Sequence, residues 1–439
     1  MDKVLVLGAG LVTGPIVKYL LNNNKKITLA DIDLSKAEKL INNNSNGIAV
    51  KLNVDDTELL ENLIEDSDIV VSLLPYTFHV KIAKICIAKK KNMVTASYVS
   101  KEMKELNKDA VANGVIILNE VGLDPGIDHM SAMKIIDDVR SKGGKIVSFE
   151  SCCGGLPAPD SNNNPLGYKF SWSPRGVVMA GRNSAKYLKD NDTKEIPGEE
   201  LFKNNWLKSV ETLGDLEVYP NRDSLIYKEL YGLNAAHTVF RGTFRNPGWC
   251  KTFYLLSSLG YLNDNSRTDL LGKRHIDILS ELIKVDDSSN AVKVFLDKYN
   301  LAEDSSEYKN LEWLGLFSEE KIELTKTTLL DVLADLMLKK MSYQSTERDM
   351  VVLQHDFIAE YPDKKEKITS LLIDFGIPSG DSSMARTVSL PTAISAKLIL
   401  EGKINKTGVH IPISKDIYLP VLEELENLDI KLKETVEKI

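Results

Sequence analysis

Between Lys3 and Asp31 the chain sets glycines, a threonine and an aspartate at spacings that suit phosphate and ribose binding. Gly8-Ala9-Gly10-Leu11-Val12-Thr13-Gly14 follows directly on the apolar run KVLVLG. Gly8 permits a tight turn, and Gly10 has no Cβ to keep the backbone away from a pyrophosphate. A helix opening after this loop offers free N–H groups and its positive dipole end to the phosphates. Asp31 closes the next run, ITLADID, about twenty residues beyond the glycines, where a carboxylate can accept from a ribose 2′-hydroxyl. The same carboxylate would repel a 2′-phosphate, and no Arg follows it closely, so the expected cofactor is NAD rather than NADP. Thr13 holds the usual third-glycine position and Gly14 comes one residue late. A bare glycine loop is often only a tight turn; strand, helix and terminal acid in register around it favour a dinucleotide. Gly8, Gly10, Leu11, Val12, Thr13 and Asp31 are the contacts expected on that side.

A glycine loop and an acid act together only if a parallel sheet brings their strand ends to one edge. Strand and helix signals alternate to about residue 120. The helix after the loop is expected near Val12–Leu21, and SKAEKLIN follows with Ser35 placed to cap it. DIVVSLLP (Asp68–Pro75), NMVTAS (Asn92–Ser97) and VIILNE (Val115–Glu120) read as buried strands, separated by the helices HVKIAKICIAKKKN and KEMKELNKDAVANG. The fold class is therefore α/β, with a Rossmann-type doubly wound parallel sheet. Its carboxyl edge carries Gly8, Asp31, Leu73–Pro75, Ser97–Tyr98 and Glu120–Asp124. Leu73, Leu74, Ser97, Tyr98, Gly122 and Leu123 are expected along the cofactor, with the nicotinamide near the last two groups of that edge.

Beyond Ser131 the texture changes. A helix (Ala132–Arg140) and the strand KIVSFESCC lead into a polar passage rich in Gly, Pro and Asn from Gly154 to Pro174, as in a substrate domain with functional loops. From about Leu262 to Ser342 the patterns are helical, including HIDILSELIKV and TTLLDVLADLMLKKM. MVVLQHDFIAEY and KEKITSLLIDFG return to strand character, and MARTVSLPTAISAKLILEG is an apolar helix stopped by Gly402. A chain of 439 residues should form roughly two or three domains. With 43% hydrophobic and 27% charged residues it is of ordinary globular composition. The net charge of −8 and the lack of a basic run argue against nucleic acid. Four cysteines make no disulfide framework and no C-x-x-C pair, so neither a secreted scaffold nor a zinc site is expected. No apolar stretch is long enough to span a bilayer, and no leader precedes the first strand, so the expected location is cytoplasmic.

Five short segments hold more polar and turn residues than folding alone requires: TASY (Thr95–Tyr98), GLDPGIDHM (Gly122–Met130), SCCGGLPAP (Ser151–Pro159), NNPLGYKFSWSPRG (Asn163–Gly176) and YPNRDS (Tyr219–Ser224). With HTVFRGTFR (His237–Arg245) and MARTVSLPTAISAK, they make the chain closely resemble the saccharopine dehydrogenases of the glutamate-forming type, over nearly its full length. That resemblance implies three domains: a dinucleotide-binding domain (1–129 and 386–439), an α/β saccharopine-binding domain (130–261 and 343–385) and an all-helical insertion (262–342). It also implies oxidation of saccharopine, a secondary amine joining lysine and glutarate, to L-glutamate and 2-aminoadipate 6-semialdehyde. A homodimer is admitted, and the sequence leaves open whether lysine is made or degraded.

Such chemistry needs a base to keep the amine neutral and proton shuttles for water addition and amine departure. The resemblance puts Asp124, Tyr98 and Cys153 around the reacting centre. Against this, Asp-Pro-Gly is a good turn sequence, and a buried cysteine is usually inert packing. Cys152 stands where most relatives carry Tyr. Saccharopine has three carboxylates, and Arg suits them because its planar fork binds carboxylate at two points. The resemblance assigns Arg222, Arg245, Thr243 and Phe244 to the substrate, with Lys169, Phe170, Ser171, Ser97, Tyr98 and Asp124 lining the pocket. A lone Arg is ordinarily a surface ion pair, and Arg175 and Arg241 are weaker candidates for the same pocket. His79, His129 and His237 read as structural hydrogen-bonders, with His129 nearest the GLDPGID loop. Two other functions fit less well: a related dehydrogenase of another carboxylated secondary amine, such as carboxynorspermidine, and a catalytically silent dinucleotide sensor.

Overall fold

The computed structural model describes residues 1–324 and 328–439. Its packing divides into two compact units, Met1–Lys145 with Tyr361–Lys364 and Ser370–Thr435, and Ile146–Glu360 with Lys365–Thr369 and Val436–Ile439. In the first unit β1 (Lys3–Leu7), β2 (Lys26–Asp31), β3 (Gly47–Lys51), β4 (Ile69–Ser72), β5 (Asn92–Thr95) and β6 (Ile116–Leu118) form a parallel sheet with the late strand Gly408–His410. The order across it is Gly408–His410, β6, β5, β4, β1, β2, β3. This is the doubly wound arrangement expected, with one strand added at the β6 edge. β1 is buried from Val4 to Leu7, as a strand covered by helices on both faces must be.

The chain turns at Gly8 with φ +103°, and a Cβ there would lie 3.2 Å from the Leu73 carbonyl oxygen. The following helix spans Gly14–Asn22 rather than Val12–Leu21, because Pro15 sits in its first turn and Thr13 stays outside it. The helix Leu34–Ile41 is capped by Asp33, which accepts from the Ser35 N–H; Ser35, expected as the cap, lies inside the first turn. KEMKELNKDAVANG forms two short helices, Lys101–Glu105 and Asn107–Ala112, and β3 and the helix Thr57–Glu65 complete the alternation.

In the second unit Trp206–Val210, Gly214–Pro220 and Thr238–Arg245 pair antiparallel in that order. Lys145–Pro157 runs parallel beside Thr238–Arg245, and Asp349–Glu360 follows it. Thr243 stands opposite both Tyr219 and Cys153, and Arg245 opposite Glu217. Since side chains alternate along strands, Cys153, Thr243, Arg245 and Tyr219 share one face while Cys152 and Phe244 point to the other. The stretch 262–342 carries the helices His275–Ile283, Ala291–Tyr299, Ser306–Leu314 and Leu329–Lys340. Thr327, the first residue of the helical pattern TTLLDVLADLMLKKM, lies outside the described residues.

One turn fixes the entry to the helix Ile127–Ser141. Gly126 has φ +148°, and a Cβ on it would come within 2.0 Å of the Gly122 carbonyl oxygen. Gly126→Ala is expected to lower stability by at least about 2–3 kcal/mol through strain and displacement of the turn. Urea unfolding measures this, and a midpoint equal to that of the wild type refutes it.

Candidate functional site

The glycine loop meets the demands of a pyrophosphate. Gly10 has nothing within 4 Å of its missing side chain, so the backbone lies open to a ligand. Thr13 is fully buried and closes the turn from inside: its hydroxyl donates to the Gly8 carbonyl at 2.9 Å and its N–H to the Gly10 carbonyl at 3.2 Å. That accounts for a threonine in a glycine's usual place. Leu11 is exposed and Val12 half-buried beside it. Asp31 faces the loop: one carboxylate oxygen accepts from the Ala9 N–H at 2.6 Å and the other from the Asp33 N–H at 2.8 Å. Leu73 and Leu74 are half-buried just beyond β4, the former donating its N–H to the Leu7 carbonyl.

At the β5 and β6 ends the structure brings Tyr98 and Asp124 together, the phenol donating to Asp124 Oδ1 at 3.1 Å. Asp124 precedes a cis Pro125 in a turn where the Gly122 N–H donates to the Pro125 carbonyl and the Asp128 N–H to the Leu123 carbonyl, at 3.0 Å each. Gly122 and Leu123 are buried by that turn, whereas Tyr98 keeps 37% of its surface exposed. Ser97, next to Tyr98, is held by His79: Nε2 lies 2.8 Å from Ser97 Oγ, and Nδ1 lies 3.0 Å from Ser72 Oγ. Burial pulls the His79 imidazole down to about 4, so it serves this network as a neutral ring. His129 likewise binds Glu120, at 2.7 Å.

The second unit buries a cation among aromatic rings. Arg245 is 5% exposed, yet no carboxylate pairs with it among the described residues. Glu217, opposite it in register, spends its two oxygens on the N–H groups of Gly248 and Cys250, at 2.8 Å each. The guanidinium lies over the rings of Tyr168 (4.9 Å), Trp249 (5.2 Å) and Tyr219 (5.8 Å), and Nη1 donates to the Phe244 carbonyl. Arg245 Nε, Tyr168 Oη, Trp249 Nε1 and Ser171 Oγ are buried without a hydrogen-bond partner. Burial pushes the Tyr168 and Tyr219 phenols up, against the pull of Arg245. A buried cation with unspent donors near it is prepared for a carboxylate. Thr243 and Cys153 share its face of the sheet.

Other expected substrate residues are placed differently. Lys169 is buried in an ion pair with Glu347 at 2.6 Å, so its charge is already matched. Phe170 packs edge-on against Tyr168 and gives its N–H to the Met341 carbonyl. Phe244 is fully buried on the opposite face from Arg245, and only its carbonyl reaches the guanidinium. Arg222 is exposed, at φ +53°, with its carbonyl accepting from the Lys186 N–H. Arg175 pairs with Asp331 at 3.0 Å, and Arg241 is buried against Tyr227, to which it also donates. Tyr168, Tyr219 and Trp249 were not picked out from the sequence. Tyr168 and Tyr219 stand within two of the polar segments, so the signal was present in their composition.

Two family models cover the chain. The saccharopine dehydrogenase NADP binding domain matches residues 4–118, and the saccharopine dehydrogenase C-terminal domain matches residues 122–430. The NADP(+), L-glutamate-forming saccharopine dehydrogenase of Schizosaccharomyces pombe is 38% identical, over 99% of each chain. That of Saccharomyces cerevisiae is 40% identical, over 98% of each. The mitochondrial alpha-aminoadipic semialdehyde synthase of Rattus norvegicus is 40% identical over 97% of this chain but only 46% of its own length. Among solved structures, apo saccharopine dehydrogenase (L-Glu forming) from Saccharomyces cerevisiae matches with TM-score 0.91 and 39% identity, covering both chains completely. Homospermidine synthase from Legionella pneumophila, at 9% identity and TM-score 0.60, shares the fold alone.

These similarities overturn the expectation of NAD. The matching domain model is an NADP binding domain, and the fungal relatives are named as NADP(+) enzymes. The expectation treated Asp31 as a free acceptor for ribose. Each of its oxygens instead serves a backbone N–H of the chain, so the acid braces the glycine loop.

Asp31→Ala is therefore expected to weaken dinucleotide binding by about tenfold, the worth of one or two charge-assisted hydrogen bonds that shape the loop. Titration calorimetry with NADP+ measures it, and an unchanged Kd overturns the bracing role. His79 gives a pH signature. Its folded value of about 4 lies below the unfolded value of about 6.5, so the unfolded chain takes up the proton first as pH falls. The stability this provides is complete above pH 6.5 and is lost between there and pH 4, by about 2 kcal/mol at pH 4.5. Urea unfolding at both pH values should show that loss in the wild type and not in His79→Gln; equal slopes would exclude it.

Proposed function

The chain belongs to the saccharopine dehydrogenase family, and we propose that it oxidises saccharopine, with NADP+ and water, to L-glutamate and 2-aminoadipate 6-semialdehyde, reversibly. The observation that carries this reading is identity of 38% to 40% over nearly all of the chain to glutamate-forming enzymes of that name. It favours saccharopine over another carboxylated amine, and an enzyme over a silent sensor. The open backbone at Gly10 and the helix beyond it suit the pyrophosphate of the cofactor, which supplies the hydride acceptor when bound.

The roles follow from the groups present. Asp124 takes the proton that leaves the bridging nitrogen neutral, and Tyr98, hydrogen-bonded to it, passes protons to and from the water that splits the imine. Loss of hydride from the lysine-side carbon beside nitrogen gives the imine; water adds to that carbon, and breakage of its C–N bond releases glutamate. Arg245 holds one substrate carboxylate within its aromatic cage, and Arg222 serves a second at an exposed turn. Cys153, on the Arg245 face, lines this region. Residues 262–342 are proposed as an insertion into the substrate domain. All four cysteines are unbridged, which suits a reducing compartment such as the cytoplasm. No helix of the described residues is long and apolar enough to cross a membrane.

Steady-state kinetics tests the assignment. Wild-type protein should reduce NADP+ with saccharopine and release glutamate; no turnover would sink the reading. Asp124→Asn should lower kcat by about 10²-fold, with the fold kept because Asn suits the turn. Arg245→Ala should raise KM for saccharopine at least about tenfold, with KM for NADP+ little changed. A wild-type KM would make Arg245 a packing residue.

A further inference from the structure

We infer that Glu120 is the positioning residue of the Tyr98–Asp124 pair, holding with one carboxylate oxygen each of the two loops that carry it. The inference rests on the roles given above to Tyr98 and Asp124. Oε1 of Glu120 accepts from the N–H of Val99, the neighbour of Tyr98, at 2.8 Å. Oε2 lies 2.7 Å from Nε2 of His129, in the first turn of the helix that follows the Asp124 loop. The Glu120 N–H also donates to the Ser97 carbonyl at 3.1 Å, so the Tyr98 loop is tied at both ends. On the other side Asp128 Oδ1 accepts from the N–H groups of Gly126, at 2.5 Å, and His129, at 2.8 Å. Loop, carboxylate, imidazole and turn thus form a closed circuit whose one exposed link is the Tyr98–Asp124 hydrogen bond.

Burial and backbone support the assignment. Glu120 is 5% exposed and His129 fully buried, so water does not compete for either hydrogen bond. Glu120 adopts φ +61°, a left-handed conformation that a non-glycine residue keeps only where its surroundings over-determine it. A structural acid–histidine pair would need no such backbone and would not join two separate loops of the site. Reach is the critical property. A side chain one methylene shorter cannot meet Val99 and His129 together, and a displacement of about 1 Å at a reacting pair can cost about 10²-fold in rate.

A mutant cycle separates positioning from folding. Glu120→Asn tolerates the left-handed backbone but loses the reach, whereas Glu120→Gln keeps it. Glu120→Asn is expected to lower kcat about 30-fold with KM for NADP+ within about twofold, and Glu120→Gln to recover kcat to within about fivefold of wild type. In a Tyr98→Phe background, Glu120→Asn should lower kcat by no more than about threefold, because the pair it positions is already broken. Equal losses in both backgrounds, or kcat within about threefold of wild type for Glu120→Asn alone, would overturn the inference. If that variant does not fold, His129→Gln takes its place under the same expectations. Failure of both to fold assigns the pair to the fold and overturns the inference as well. Wild-type turnover of saccharopine is the separate control for the reading on which this rests.

Discussion

A polar side chain buried at the carboxyl edge of the parallel sheet must find its hydrogen bonds inside the protein, and that requirement organises the first unit. Ser72, Thr95, His79, Glu120 and His129 are all nearly inaccessible to water, and each is met by another side chain or by a loop N–H. A missing partner would leave a buried group unsatisfied at about 1–3 kcal/mol, so the loops have few alternative arrangements. Rigidity here is a by-product of satisfaction. The pair proposed to react, Tyr98 and Asp124, sits at the exposed rim of this network.

The second unit follows the opposite logic at one point. Arg245 is buried with its Nε unmatched, and Tyr168 and Trp249 beside it keep polar atoms without partners. Cation–π contacts, worth about 0.5–2 kcal/mol each, offset part of the desolvation but provide no hydrogen-bond acceptor. The remaining deficit is what a carboxylate would relieve on binding. Lys169 marks the contrast: its buried charge is met by Glu347, and it has no comparable demand for a ligand. A sequence shows both as basic residues in polar segments; only the position of the nearest carboxylate separates them.

The same distinction explains what could be read in advance. The alternation of apolar runs and turns up to residue 120 was legible because burial on both faces leaves a continuous signature in each strand. β3, Gly47–Lys51, escaped notice because it lies at the edge, with no residue in it fully buried. The Tyr98 and Asp124 segments stood out by composition, and the structure joins them by a hydrogen bond. Facing could not be read without register: Phe244 and Arg245 are adjacent in sequence, yet the pleat sends them to opposite sides of the sheet. The cage around Arg245 escaped for a related reason, since Trp249 joins it from the helix that follows the strand.

Asp31 shows how a motif can be right about geometry and mislead about specificity. The strand ends where the glycine pattern requires, and its acid does face the loop. Each oxygen of that carboxylate already accepts one backbone N–H, from Ala9 and from Asp33. An acid committed to the backbone carries its charge in a hydrogen-bonded setting, and it presents less of that charge to an incoming 2′-phosphate than an unpaired group would. Asp31 therefore does not by its type alone decide between the two dinucleotides. The partners of a residue, more than its type, decide what it recognises.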